Sequence, residues 1–277
     1  MAVPVAEPVP SLASAVASRT EPLLVLAPPA VTSRGRCAIE LAARPAREAD
    51  RVRQAFEARN GPGWNLTIDE LTATIRSARH ETGSAKRSWD PKDRSHVVAD
   101  QRATVDFVAK NYELFGYDAD DLAAMKLGDF GTQLLSGKRP QPGYEAIAEV
   151  TRASAVDVWF DANGAIMDAV FMNRALPPFK LCEGARLAAT DPKLFAKVLP
   201  HALSFSNYAG QIVHSPPITM ADVGVPALSI YVEWKRDPAR VVLHLVYAIP
   251  VRDPERWTFF VDPDTGDLLL VRQDFRT

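Results

Sequence analysis

Cysteine is scarce in this chain: 277 residues hold two, Cys37 and Cys182. Neither belongs to a Cys-x-x-Cys pair, which excludes zinc ribbons and thioredoxin-like redox chemistry. In an exported protein the two could close one disulfide. Histidine is nearly as rare, and no two histidines stand one helical turn apart around a glutamate, as a zinc peptidase helix requires. His80-Glu81-Thr82-Gly83 begins that pattern, but Ser84 occupies the place of the second histidine. His96, His201, His214 and His244 are isolated, and His244, set between apolar neighbours, reads as a packed strand residue.

Charge of one sign is also missing. Lys plus Arg (32) nearly balances Asp plus Glu (34), leaving no global field to gather phosphate backbones or anionic lipid, so nucleic acid is not an expected partner. No apolar run approaches the roughly 20 residues that span a bilayer. The best N-terminal candidate for a signal-peptide core, Leu23 to Ala27, is too short and follows Arg19 and Glu21. Arg34-Gly35-Arg36 before Cys37 does not suit a lipidated cysteine.

Catalytic and nucleotide-binding motifs are incomplete where they occur. Gly131 to Lys138 resembles a phosphate loop with one residue too many between its glycines, and Arg139 replaces the magnesium-binding hydroxyl. No Gly-x-Ser-x-Gly elbow is present. Asp262, Asp264 and Asp267 fail as a calcium loop because Gly266 stands fifth, where a ligand is needed. The expectation is a protein without catalytic residues, metal or cofactor.

What the sequence has is pattern. Residues 1–45 are rich in Ala and Pro and are expected to form a disordered tail. An amphipathic helix is expected over Ala46–Arg59, and a second over Gln101–Phe115, stopped by Gly116. Asp118, Asp120 and Asp121 suit the start of a short helix, as does Asp191-Pro192; Thr219 to Asp222 could cap one more. Alternation places strands at Trp64–Ile68, Ala73–Ile75, Ala155–Phe160, Ala165–Met172, Leu228–Trp234, Val241–Pro250, Trp257–Val261 and Leu268–Arg272, with Leu243, Leu245, Tyr247 and Ile249 on one face. Three segments, from Trp64, Trp159 and Trp257, each run through an apolar strand to an Asp, a turn and a second strand. The Asp carboxylate can accept backbone N–H groups within such a turn. The fold class expected is α+β: two antiparallel-sheet domains, 46–178 and 179–277, each with one or two packed helices, after the tail.

Several segments resemble, in order, the pro-region of thermolysin-like and fungalysin-like zinc metallopeptidases, in which an FTP-type domain precedes a PepSY-type domain. Trp64 to Ile75 resembles its first hairpin, with Thr72-Ala73 where the family often has Thr-Gly. Ala103 to Gly116 resembles the helix that ends in Leu-Phe-Gly, and Val158 to Gly164 a later hairpin. Leu243 to Ile249 and Phe260 to Leu269 look like the PepSY strands and their Asp-x-x-Thr-Gly turn. No clear version of the family strand before the second hairpin is visible within Gly131 to Val150, and the family's catalytic domain, with its paired-histidine helix, is not expected after Thr277.

The resemblance implies a non-catalytic, secreted or periplasmic protein, without a visible signal peptide, that binds a thermolysin-like metallopeptidase and inhibits it or assists its folding. The residues after the last strand, Gln273, Asp274, Phe275, Arg276 and Thr277, are the candidate partner-binding segment. The alternatives are an exported PepSY-like module with no peptidase partner, and a fragment of a peptidase precursor.

Overall fold

The computed structural model describes residues 9–19, 22–26, 31–33, 37–82, 86–87, 96–128, 132–140, 151–173, 186–199, 201–206, 210–214, 216–236, 239–252 and 257–273. Its elements run α1 (Leu12–Ala17), β1 (Val31–Ser33), β2 (Ala38–Ala42), α2 (Ala46–Asn60), β3 (Trp64–Ile68), β4 (Ile75–His80), α3 (Val97–Asn111), α4 (Ala119–Ala124), β5 (Lys126–Leu127) and β6 (Gln133–Leu135). They continue as β7 (Arg139–Pro140), β8 (Thr151–Arg152), β9 (Ser154–Phe160), β10 (Ile166–Asn173), α5 (Pro192–Phe195), β11 (Ser204–Ser206), β12 (Ile212–His214), β13 (Ala227–Arg236), β14 (Ala239–Val251), β15 (Trp257–Val261) and β16 (Leu268–Gln273). The fold is α+β with two antiparallel six-stranded sheets. The chain divides into two compact units, one of residues 1–29, 43–141 and 151–177, the other of 30–42, 142–150 and 178–277.

The first unit carries the sheet β3-β4-β10-β9-β6-β5. Strict alternation in β9, Ser154 to Phe160, buries every second residue, so one face of the sheet meets the helices. Phe56 of α2, Trp64 of β3, Phe107 of α3, Phe115 and Phe171 of β10 form one aromatic core, with Phe115 and Phe171 stacked at 3.7 Å between ring centres. Helix α3 tightens at Tyr112–Phe115 into a 3-10 turn, and Gly116 ends it in the left-handed conformation at φ 76°. Asp118 caps α4 and exchanges hydrogen bonds with Asp121, the reciprocal box that satisfies two N-terminal donors.

The second unit is organised around β14. Along one edge β14 pairs with β13 over ten residues, from Arg236 opposite Ala239 to Ala227 opposite Ala248. Its other edge is shared: β2 takes Arg240 to His244, and β15 takes Tyr247 to Val251. β1 extends the sheet beyond β2, and β16 beyond β15. Leu243, Leu245, Tyr247 and Ile249 share a buried face as expected. Leu194, Phe195 and Val198 pack in one cluster with Tyr247, Ile249, Val251, Trp257, Phe259 and Val261.

Two expectations are corrected. Part of the stretch read as a tail is ordered: β2 lies between β1 and β14 in the second sheet, and just before it the Cys37 carbonyl accepts the Leu245 N–H at 2.8 Å. Its partner lies some two hundred residues later, as the Arg240–Glu40 ion pair at 3.5 Å illustrates, so no local signal reveals it. Likewise α1, capped by Ser11, buries Leu12 against the first core. Thr219 to Asp222 starts no helix; the Asp222 carboxylate accepts the Thr219 N–H and hydroxyl at 2.8 and 2.7 Å and closes a turn. Those two bonds also hold the exposed Asp222 carboxyl below its ordinary pKa.

Candidate functional site

The recurring hairpins share a construction. In the β3–β4 turn, one Asp69 carboxylate oxygen accepts the N–H groups of Leu71 and Thr72 at 3.0 and 2.9 Å. In the β15–β16 turn, Asp262 accepts those of Asp264 and Thr265 at 2.7 and 3.1 Å. Both Asp residues donate their own N–H to the carbonyl five residues on, Thr74 and Asp267, each at 2.8 Å. Both turns then need a left-handed residue at the same place, which is Ala73 at φ 53° in one and Gly266 at φ 78° in the other. The Asp161 turn between β9 and β10 is one residue shorter, with Gly164 left-handed at φ 85°. Burial pushes the Asp69 carboxyl up, but the Thr72 N–H and the Arg76 guanidinium more than offset this, so it ends below its ordinary pKa.

The Asp262 turn also anchors a helix. Leu187 N–H donates to the Pro263 carbonyl at 2.9 Å, and the Tyr247 hydroxyl to the Leu187 carbonyl at 3.0 Å. These bonds fix the chain entering α5, whose first turn is capped by the Asp191 carboxylate. The carboxylates of Asp262 and Asp267 are thus engaged in turn geometry, Asp267 accepting the Thr265 hydroxyl at 3.0 Å.

Of the predicted partner-binding residues, Gln273 ends β16 opposite Trp257, at the margin of the sheet. Asp274, Phe275, Arg276 and Thr277 lie outside the described residues. His244 packs as read from its neighbours: its ring stacks on Tyr231 at 5.6 Å and its Nε2 lies 3.3 Å from a Glu233 carboxylate oxygen. On the same sheet, the Arg272 guanidinium lies 5.0 Å from the centre of the Phe260 ring, which stacks on Tyr231. Among the described residues no group of three or more His, Cys, Asp or Glu could hold a metal ion.

A second region was not visible in the sequence. The segment 218–226 is pinned beside the end of β14: Gly224 N–H donates to the Pro250 carbonyl at 2.7 Å, Arg252 N–H to the Asp222 carbonyl at 3.0 Å, and Val223 bridges Val251. The approach is so close that a Cβ at Gly224 would sit 2.7 Å from Pro250 Cγ. Behind this segment lies a cavity of about 460 Å³, walled by Ala189, Phe195, Met220 and Val223 to Pro226, with Thr190 and Arg252 as its polar members. Strand β13 begins where the cavity ends. Among the described strands β13 pairs with β14. Large apolar side chains stand exposed along this border, Val225 at 84%, Trp234 at 69% and Met220 at 57%. The one signal available in the sequence was the apolar Val225-Pro226 directly after Gly224, just past the Thr219 to Asp222 stretch read as a helix cap.

Cys37 is disulfide-bonded, and the chain's one other cysteine is Cys182, outside the described residues. No described helix is long and apolar enough to cross a membrane. Comparison with known proteins gives no matching family model, no matching curated protein and no matching solved structure.

Proposed function

We propose that this is a non-catalytic, propeptide-like protein that binds a thermolysin-like zinc metallopeptidase and inhibits it or assists its folding. The observation that carries the reading is the pair of like-built Asp-anchored turns, Asp69 to Thr74 and Asp262 to Asp267, one in each unit. They stand at the positions where the sequence resembles the FTP and PepSY hairpins of such pro-regions. Binding of this kind needs a preformed surface and a segment that enters the partner's cleft, not a reacting group. Gln273 ends β16 at the sheet margin, and Gln273 to Thr277 are the proposed segment. The disulfide at Cys37 supports a secreted or periplasmic location, because such bonds persist in oxidising compartments.

The test is retention of a zinc peptidase from native extract on the immobilised full chain. A chain ending at Gln273 should lose inhibition while keeping its fold; unchanged potency would remove the terminal segment from the interface. The exposed apolar side chains Met220, Val225 and Trp234 favour a second reading, an exported binding module with no peptidase partner. Capture of a different protein, with every candidate peptidase left unbound, would favour that reading.

A further inference from the structure

We propose that Asn65 is the acceptor of an N-linked glycan, transferred to its carboxamide from a lipid-diphosphate-linked sugar during export. Asn65-Leu66-Thr67 has the acceptor pattern, an asparagine with a hydroxyl residue two positions on and no proline between them. No other asparagine of the chain is followed two residues later by Ser or Thr. The proposal rests on the exported location of the proposed function, and not on a peptidase partner.

The fold presents both residues of the pattern. Successive side chains of a strand point to opposite faces, so in β3 Trp64 and Leu66 are buried in the first core while Asn65 and Thr67 stand exposed together on the other face. Across the ladder Arg79 lies opposite Asn65 and Ser77 opposite Thr67, with Asp168 beyond Arg79. These neighbours are polar and suit a hydrated sugar. Among the described residues, neither the Asn65 carboxamide nor the Thr67 hydroxyl has a hydrogen-bond partner, so substitution of the amide costs the fold no bond. Asn60 and Asn111 differ: their side chains exchange hydrogen bonds at 3.0 and 3.2 Å and are committed to the packing of α2 on α3.

In the transfer, the Asn65 amide nitrogen attacks C1 of the sugar. An N–C1 bond forms and the C1–O bond to the diphosphate breaks. The lipid diphosphate leaves with the electron pair, and the amide gives up one proton. The Thr67 hydroxyl is the group by which the transferase reads the acceptor, and it is not consumed. The disulfide at Cys37 supports passage through an oxidising compartment, where such transfer takes place.

The test is peptide mapping of the full chain purified from its native source. Tryptic cleavage after Arg59 and Arg76 releases Asn60 to Arg76 as one peptide. That peptide should carry a saccharide, and electron-transfer fragmentation should locate it on Asn65 rather than Asn60. In the same source Thr67→Ala should abolish the saccharide with Asn65 still in place, and Thr67→Ser should retain it. The Thr67 side chain is exposed, so both variants keep the fold, which circular dichroism checks. Alkylation of free thiols in the same preparation separates two failures. A bare peptide from protein without free thiols would overturn the site alone. A bare peptide from protein with both cysteines free would overturn the site and the exported location together. A saccharide on Thr67, or one retained by Thr67→Ala, would overturn the assignment to Asn65.

Discussion

Gly266 lies against the carbonyl of Lys193, so close that a Cβ on Gly266 would sit 2.8 Å from that oxygen. The contact joins the Asp262 turn to α5 and explains why glycine is needed there twice over, for its φ of 78° and for the space. Gly266→Ala is expected to destabilise the second unit by about 2–4 kcal/mol, the left-handed backbone cost of about 1–2 kcal/mol plus displacement of the helix. The equivalent residue, Ala73, already carries its methyl group in the same conformation. Ala73→Gly should therefore change stability by less than about 1 kcal/mol, because relief of the left-handed backbone is offset by loss of a buried methyl. Urea titrations of both variants, followed by tryptophan fluorescence, check the contrast.

Glu113 ties the N-terminal segment to the first core. Its carboxylate takes the Arg19 and Arg59 guanidinium groups at 2.8 and 2.7 Å, and the Leu24 N–H at 3.2 Å. Burial raises the Glu113 pKa, but the two arginines lower it further, so the net value lies below the ordinary 4.5. With the folded pKa depressed, the stabilisation is complete above about pH 4.5 and is lost as pH falls through the folded value. Glu113→Gln should cost about 1.5–3 kcal/mol at neutral pH and flatten the acid limb of the stability curve. Denaturation midpoints from pH 3 to pH 7 measure both effects.

The Asp-anchored turns predict paired losses. Asp69→Ala and Asp262→Ala each remove a carboxylate that accepts two backbone N–H groups, with an expected cost of about 1–3 kcal/mol. Asp69→Ala should be the costlier, since it also removes the ion pair with Arg76 at 3.0 Å. Thermal unfolding of the two variants under the same buffer would show the order.

Cys37, which is disulfide-bonded, immediately precedes β2. Thiol titration of the denatured, unreduced protein should give no free thiol. Reduction should lower stability by about 2–4 kcal/mol. Amide exchange in Ala38–Ala42 should accelerate before that in β13, because β2 contributes only five residues to the ladder.

Much of this architecture is legible where periodicity is strong and partners are local. Trp257–Val261 is predicted to the residue, and the hairpins at Asp69, Asp161 and Asp262 lie where Trp, strand and Asp recur. Gly116 ends its helix as read, although the last turn narrows to 3-10 and α3 starts four residues earlier than expected. The illegible parts depend on distant contacts. β6 has three residues, too few to display alternation, and is defined by its ladder to β9. β2 has a suitable pattern but no reason to be a strand until β14 is present. The segment lining the cavity beside β13 is pinned by the backbone hydrogen bond from Gly224 to Pro250, which no side-chain pattern encodes.

The most direct measurement is inhibition of a purified thermolysin-like zinc peptidase by the full chain, titrated against cleavage of a fluorogenic peptide. Activity should fall with increasing protein to a 1:1 endpoint, and the two proteins should co-elute on size exclusion. Full activity at a large molar excess, with no co-elution and no gain in refolding of the peptidase, would contradict the proposed function.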